Sequence, residues 1–210
     1  MGTLFTSLLR MKKLLIGTRS KGKFPEIVSE LSGLPFVFLN LNDVSELPPD
    51  FEVEEPALTF EGNALIKAMT LGKKTGVLTL AEDAGLEVDA LGGRPGVFTA
   101  RYAPGTDEDR CRKLLDELQY VPEEKRTARF RAIMALYDPV NDKVRTCEGV
   151  YEGRIALEPT GNNGFGYDPI FYNEALNKTN AQMSMEEKNK VSHRGKALQK
   201  IKIILQRDFL

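Results

Sequence analysis

Two hydrophobic periods alternate along the chain. Leu14 to Gly17, opening on the apolar run Leu14, Leu15 and Ile16, reads as a first strand. From Lys23 to Leu31 the apolar positions Phe24, Ile27, Val28 and Leu31 fall at helical spacing. Phe36 to Leu41 predicts a second strand, and Leu47 to Pro56, rich in proline and acid, a loop. Thr59 is placed to cap a helix running through Ala64, Leu65, Ala68 and Met69 towards Lys73. Val77 to Ala81 predicts another buried strand. It is expected to end at Glu82-Asp83, where Gly85 turns the backbone, with Leu86 to Val88 a further short strand. Leu91 to Gly96 reads as a turn-rich loop.

In the second half, Thr106 with Asp109 has the form of a capping box opening a helix to about Leu118. Thr127 to Tyr137 and Lys143 to Leu157 predict two long strands joined through Asp138 to Asp142 as a hairpin. Gly161 to Pro169 is a glycine-rich loop. Ser184 with Glu187 marks a short capped helix. Ser192 is placed to cap a last one, with Ala197, Leu198, Ile201, Ile204 and Leu205 apolar. Early strands alternate with helices and later ones form a hairpin, so the fold class is α/β with a mixed sheet flanked by helices. No linker demands two independent domains, and residues 11–210 read as one. Residues 1–10 read as a tail or an over-called start, because Met11 to Ile16 is an equally natural beginning.

Composition narrows the function. At 210 residues the chain is long enough for one substantial core. A net charge of −1 argues against a general nucleic-acid binder, which carries a basic excess. The apolar cluster within Met1 to Arg10 is too short to span a membrane and lacks the form of a signal peptide. Cys111 and Cys147 are isolated, without metal-ligand spacing, and fit core packing in a reducing cytosol.

Five segments carry chemistry. Gly17-Thr18-Arg19-Ser20-Lys21-Gly22-Lys23 has P-loop spacing up to its last position, where Phe24 replaces the Ser or Thr that would bind Mg²⁺. Backbone N–H groups, a helix start and the lysines make an anion site there. The same residues also fit an ordinary strand-to-helix turn. Glu82 and Asp83, with Glu54 and Glu55, are candidates for a metal or a general base, or for solvated acids. Gly164-Phe165-Gly166-Tyr167-Asp168-Pro169 offers two aromatic rings for stacking and a carboxylate acceptor. Ser192-His193-Arg194 puts cations in the first turn of a helix, where a bound anion or a carboxylate would compensate them.

Taken in order, these segments resemble the inosine triphosphate pyrophosphatase family. The resemblance rests on Thr18 to Lys23, Glu54-Glu55, Thr59 to Ala64, Ala81 to Gly96, Ala100-Arg101-Tyr102, Gly164 to Phe171, Lys188 and Ser192-His193-Arg194. It implies hydrolysis of ITP, dITP and XTP to the monophosphate and pyrophosphate. It also implies Mg²⁺, a cytoplasmic homodimer, and an elongated fold with two lobes about a central cleft. Carried onto matching positions, Asp83 is the general base and a metal ligand, and Glu54 the other metal carboxylate. Thr18, Arg19, Ser20, Lys21, Gly22 and Lys23 hold the triphosphate, with Lys188 adding charge and Ala84 a backbone contact. Phe165, Gly166, Tyr167 and Asp168 bind the base and sugar region, and His193 and Arg194 read the 6-oxo edge.

The chain departs from the family pattern at three places. Ser20 stands where Asn is usual, Glu82-Asp83-Ala84-Gly85 replaces Asp-Asp-Ser-Gly, and Asn162-Asn163 replaces Thr-Gly. Ala84 lacks the hydroxyl of the usual serine. A P-loop NTPase cutting the β–γ bond, a non-catalytic nucleotide binder and a pyrophosphatase for dTTP or UTP are the alternatives.

Overall fold

The computed structural model describes residues 11–210; the expectation for residues 1–10 lies outside them. In chain order the strands are β1 (Lys12–Ile16), β2 (Phe36–Leu39), β3 (Leu78–Val88), β4 (Thr127–Asp138), β5 (Lys143–Ile155), β6 (Phe171–Asn173) and β7 (Lys178–Thr179). The helices are α1 (Lys23–Leu31), α2 (Phe60–Thr75), α3 (Asp107–Glu117), α4 (Met185–Val191) and α5 (His193–Phe209). The strands form one seven-stranded sheet in the order β2-β1-β3-β4-β5-β6-β7. β1 runs parallel to β2 and β3, while β6 is antiparallel to β5 and β7, so the sheet is mixed as expected. None of the described helices is long and apolar enough to cross a membrane.

The chain divides into two compact units. The first runs to Glu82 and adds Met134–Cys147 and Lys200–Leu210; the second holds Asp83–Ile133 and Glu148–Gln199. In the first, Leu15, Leu41, Val44, Leu47 and Leu71 form a buried cluster. The segment after β2 therefore folds inward through its apolar residues although it forms no regular element. In the second, Leu86, Cys111, Leu114, Phe130, Tyr167 and Phe171 belong to one core.

The expected caps hold these elements. Thr59 accepts a hydrogen bond from the Gly62 N–H at the start of α2, and Gly76 ends that helix at φ +67°, in the left-handed region glycine favours. Thr106 with Asp109, and Ser184 with Glu187, form complete capping boxes on α3 and α4. Ser192 Oγ accepts from the Gly195 N–H in the first turn of α5.

β3 corrects one expectation. The strand does not end at Ala81 or turn at Gly85; it continues through Glu82, Asp83, Ala84 and Gly85 to Val88. Gly85 is not among the glycines with positive φ. Glu82 and Asp83 are both buried, and Glu82 has an ion-pair partner in Lys23, so these acids need not terminate a strand. β6 and β7 were not anticipated, being too short to show a period.

Candidate active site

The loop between β1 and α1 is built by its own side chains. Gly17 donates to the Leu80 carbonyl at 2.8 Å, and a Cβ there would stand 2.8 Å from Leu71 Cδ1. Ser20 N–H bonds Thr18 Oγ1 at 3.1 Å, and Ser20 Oγ accepts from the Lys23 N–H at 3.3 Å. The Phe24 N–H reaches the Ser20 carbonyl at 3.3 Å. Ser20 thus acts as the cap of α1, one turn before its regular part. Arg19 turns the other way. Its guanidinium donates to Asn42 Oδ1 at 2.9 Å and the Phe51 carbonyl at 3.2 Å, fastening the loop to the segment after β2.

These two segments, with α2 and β3, enclose a cavity of about 260 Å³ within the first unit. Thr18, Arg19 and Lys23 line it, joined by Glu55, Lys67 and Glu82. Lys23 Nζ lies 3.6 Å from Glu82, and Lys67 Nζ bridges the Glu55 carboxylate at 2.8 Å and the Glu82 carbonyl at 3.2 Å. The cavity is therefore lined by paired charges of both signs. Glu55, a candidate acid from the sequence, thus lines the cavity, whereas Lys67 is absent from the sequence expectations. Asn63, one turn before Lys67, accepts from the Ala57 N–H through Oδ1 and ties the Glu55 segment to α2. Glu54, the expected metal carboxylate, is exposed and is not among the lining residues, and Lys21 is also exposed.

Asp83 opens the second unit. Successive residues of a strand point to opposite faces, so Glu82 and Asp83 serve different surroundings. Asp83 is buried, and its Oδ1 accepts from the Ala84 N–H at 3.0 Å. Beyond it, Thr99 Oγ1 accepts from the Leu86 N–H at 2.8 Å, and the Thr99 carbonyl accepts from Tyr167 Oη at 3.1 Å. Thr99, absent from the sequence expectations, thus joins β3 to the glycine-rich loop.

That loop turns on Asp168. Asp168 Oδ2 accepts from the Phe165 N–H at 2.9 Å and from Lys188 Nζ at 2.7 Å, and Oδ1 accepts from Asn180 at 3.1 Å. Gly164 has φ +78°, and a Cβ there would stand 2.1 Å from Asp168 Oδ2, so only glycine fits. Two cations share the Phe165 ring: Lys188 Nζ is 4.7 Å and Arg194 Cζ 5.6 Å from its centroid. Lys188, expected beside the phosphates, stands here. Tyr167 corrects the stacking expectation. Its ring is in the core, and burial pushes its hydroxyl pKa up; the more accessible aromatic ring of this loop is the half-buried Phe165.

His193 and Arg194 are both buried at the start of α5. The His193 ring stacks on Phe130, centroids 4.8 Å apart and 12° from parallel. A Cβ at Gly149 would stand 2.0 Å from the His193 carbonyl, so β5 presses directly on this turn. Phe165, Asp168, Lys188 and Arg194 make one group with two cations and one carboxylate. Such a group favours an electron-rich planar ligand.

Comparison with known proteins shows the family. The sequence model of the Ham1 family matches residues 14–204. The chain belongs to this family. Among similar proteins, a dITP/XTP pyrophosphatase of Geobacter sulfurreducens is 48% identical, over 91% of this chain and 96% of that protein. One of Bacillus subtilis is 41% identical, over 93% and 98%. The solved structure of a HAM1 protein from Coxiella burnetii superposes with a TM-score of 0.84 at 39% identity, covering 93% of this chain and 99% of that one. The Staphylococcus aureus Ham1 protein gives 0.82 at 37%, over 93% and 98%. Ham1 membership decides against the P-loop alternative.

Proposed function

We propose that this chain is a nucleoside-triphosphate pyrophosphatase acting on ITP, dITP and XTP, releasing the monophosphate and pyrophosphate. The observation that carries this is the Phe165 ring with Arg194 and Lys188 over it. A flat purine stacks on Phe165, and its 6-oxo oxygen accepts from the Arg194 guanidinium. Adenine presents an amino group at that edge and leaves a buried donor unmet. The names of the 48% and 41% identical relatives support the same substrate class.

The Thr18–Lys23 loop binds the triphosphate through backbone N–H groups and the lysines. Asp83 takes the proton of a water whose oxygen bonds to the α-phosphorus. The α–β bridging bond breaks, and its electron pair leaves with pyrophosphate. Lys23 and Lys67 meet the developing negative charge. Ala84 contributes its backbone, since it has no hydroxyl. Asp83 and Glu54 are the carboxylates that would hold Mg²⁺. An oxygen-only donor set fits that ion, which takes one or two carboxylates together with substrate phosphates. When bound, it would supply charge neutralisation at the phosphates. A cytoplasmic homodimer is the expected working form.

A panel of dITP, XTP, dGTP, dATP and dTTP with product analysis tests the proposal. Pyrophosphate and monophosphate from dITP and XTP, with little from the others, are expected. Orthophosphate and a diphosphate, or binding without turnover, would overturn it.

A further inference from the structure

Gly166 is held from outside its own loop. Its N–H donates to Asp107 Oδ2 at 2.7 Å, and its carbonyl accepts from Cys111 Sγ at 3.4 Å. Asp107 and Cys111 are one turn apart on α3, so a single helix face grips both polar atoms of one residue. Gly166 is at φ +63°, where a side chain would be strained.

The neighbouring residues have anchors of their own: the Phe165 N–H is held by Asp168 Oδ2 and the Phe165 carbonyl accepts from the Asp168 N–H at 3.3 Å. Asn163 is tied to the Ala181 and Met183 carbonyls, and Tyr167 to Thr99. Between them the chain carries Phe165, whose carbonyl belongs to the same planar peptide unit as the Gly166 N–H that Asp107 holds. Asp107 is not needed to start α3, because Thr106 and Asp109 already complete the capping box. Burial alone would raise the Asp107 pKa, but hydrogen bonds from Arg110 and the Gly166 N–H outweigh it and hold the carboxyl below the ordinary range. Asp107 therefore stays an acceptor at neutral pH. Burial pushes the Cys111 thiol up to about 12, so it stays a protonated donor.

We propose that Asp107 and Cys111 are positioning residues for purine recognition, fixing the Phe165 ring through both polar atoms of Gly166. The inference rests on the proposed function, in which that ring receives the base.

Steady-state kinetics on dITP with the full chain test it, using Phe165→Ala as the reference. Asp107→Ala should raise KM about five- to tenfold with kcat nearly unchanged, since a displaced positioning contact weakens binding. Asp107→Asn keeps an oxygen acceptor and should restore KM to within about twofold of the parent. Cys111→Ala should raise KM in the same direction, and serves if Asp107→Ala does not fold. Added to Phe165→Ala, either change should have little further effect, because both act through the same ring.

Normal KM in Asp107→Ala and Cys111→Ala, or effects fully additive with Phe165→Ala, overturn the positioning role and leave the proposed function standing. So does a loss of thermal stability in which KM does not move, the mark of a helix-start role alone. An unchanged KM in Phe165→Ala instead removes the base-binding assignment, and this inference with it.

Discussion

Lys188 Nζ lies 2.7 Å from Asp168 Oδ2, with both side chains almost wholly buried. Asp168 also receives the Phe165 N–H and the Asn180 amide, so one carboxylate organises the turn and neutralises the lysine. Removing one partner leaves the other charge buried alone. Asp168→Ala should destabilise the protein by about 3–5 kcal/mol. Urea unfolding checks this; a loss under about 1 kcal/mol would show that water reaches the lysine.

Asp83→Asn should reduce turnover about 10³-fold, the scale of a lost general base, while the unfolding midpoint barely moves. The amide keeps an oxygen that can accept from the Ala84 N–H. Pyrophosphate release and a urea titration on the same preparation separate the two effects. Turnover within about threefold of the parent would remove Asp83 as base.

Arg194→Ala should narrow the preference for dITP over dATP about 10- to 100-fold, through loss of kcat/KM on dITP. The purine would keep its stacking face on Phe165. Competition between the two nucleotides in one reaction measures the ratio directly, and an unchanged ratio would end the role given to Arg194.

Arg19→Ala should act through the backbone it fastens. Without the bonds to Asn42 and Phe51, the segment lining the cavity loosens. Limited proteolysis should cut between residues 42 and 52 several times faster, a modest multiple for local opening. Equal cleavage rates would show that Leu41, Val44 and Leu47 hold the segment unaided.

Alkaline pH should destabilise the fold through its thiols. Burial pushes Cys111 up to about 12 and Cys147 up to about 11. An unfolded thiol loses its proton near pH 8.5. Above that pH the unfolded chain binds fewer protons than the native one, so stability falls as pH rises towards the native values. Urea midpoints from pH 7.5 to 10 should fall less steeply in Cys111→Ala/Cys147→Ala than in the parent. Parallel slopes would refute the thiol contribution.

The sequence disclosed its helices well because their signals are local. Thr59, Thr106 and Ser184 sit within four residues of the groups they cap. β3 was misjudged because the partner of Glu82 is Lys23, far away along the chain. Two adjacent acids look like a strand end until that distant ammonium is known. The same limit governs Glu54 and Glu55: sequence places them side by side, and only the bond to Lys67 shows that Glu55 faces the cavity. Ser20 stands where the family pattern has Asn, and only the structure shows its hydroxyl accepting from the Lys23 N–H at the start of α1, a capping role that Asn performs equally well.

The parallel pairing Leu14↔Leu78, Leu15↔Thr79 and Ile16↔Leu80 fixes how far β3 has advanced when it reaches Glu82. Because side chains alternate, a slip of one residue would exchange the two acids between faces. The candidate base would then occupy the place of the carboxylate that neutralises Lys23. One residue added between Leu78 and Glu82 should therefore cost core packing and catalysis together, because buried residues of the strand change faces along with the acids. The division of labour between two neighbouring carboxylates is thus set by counting along a strand.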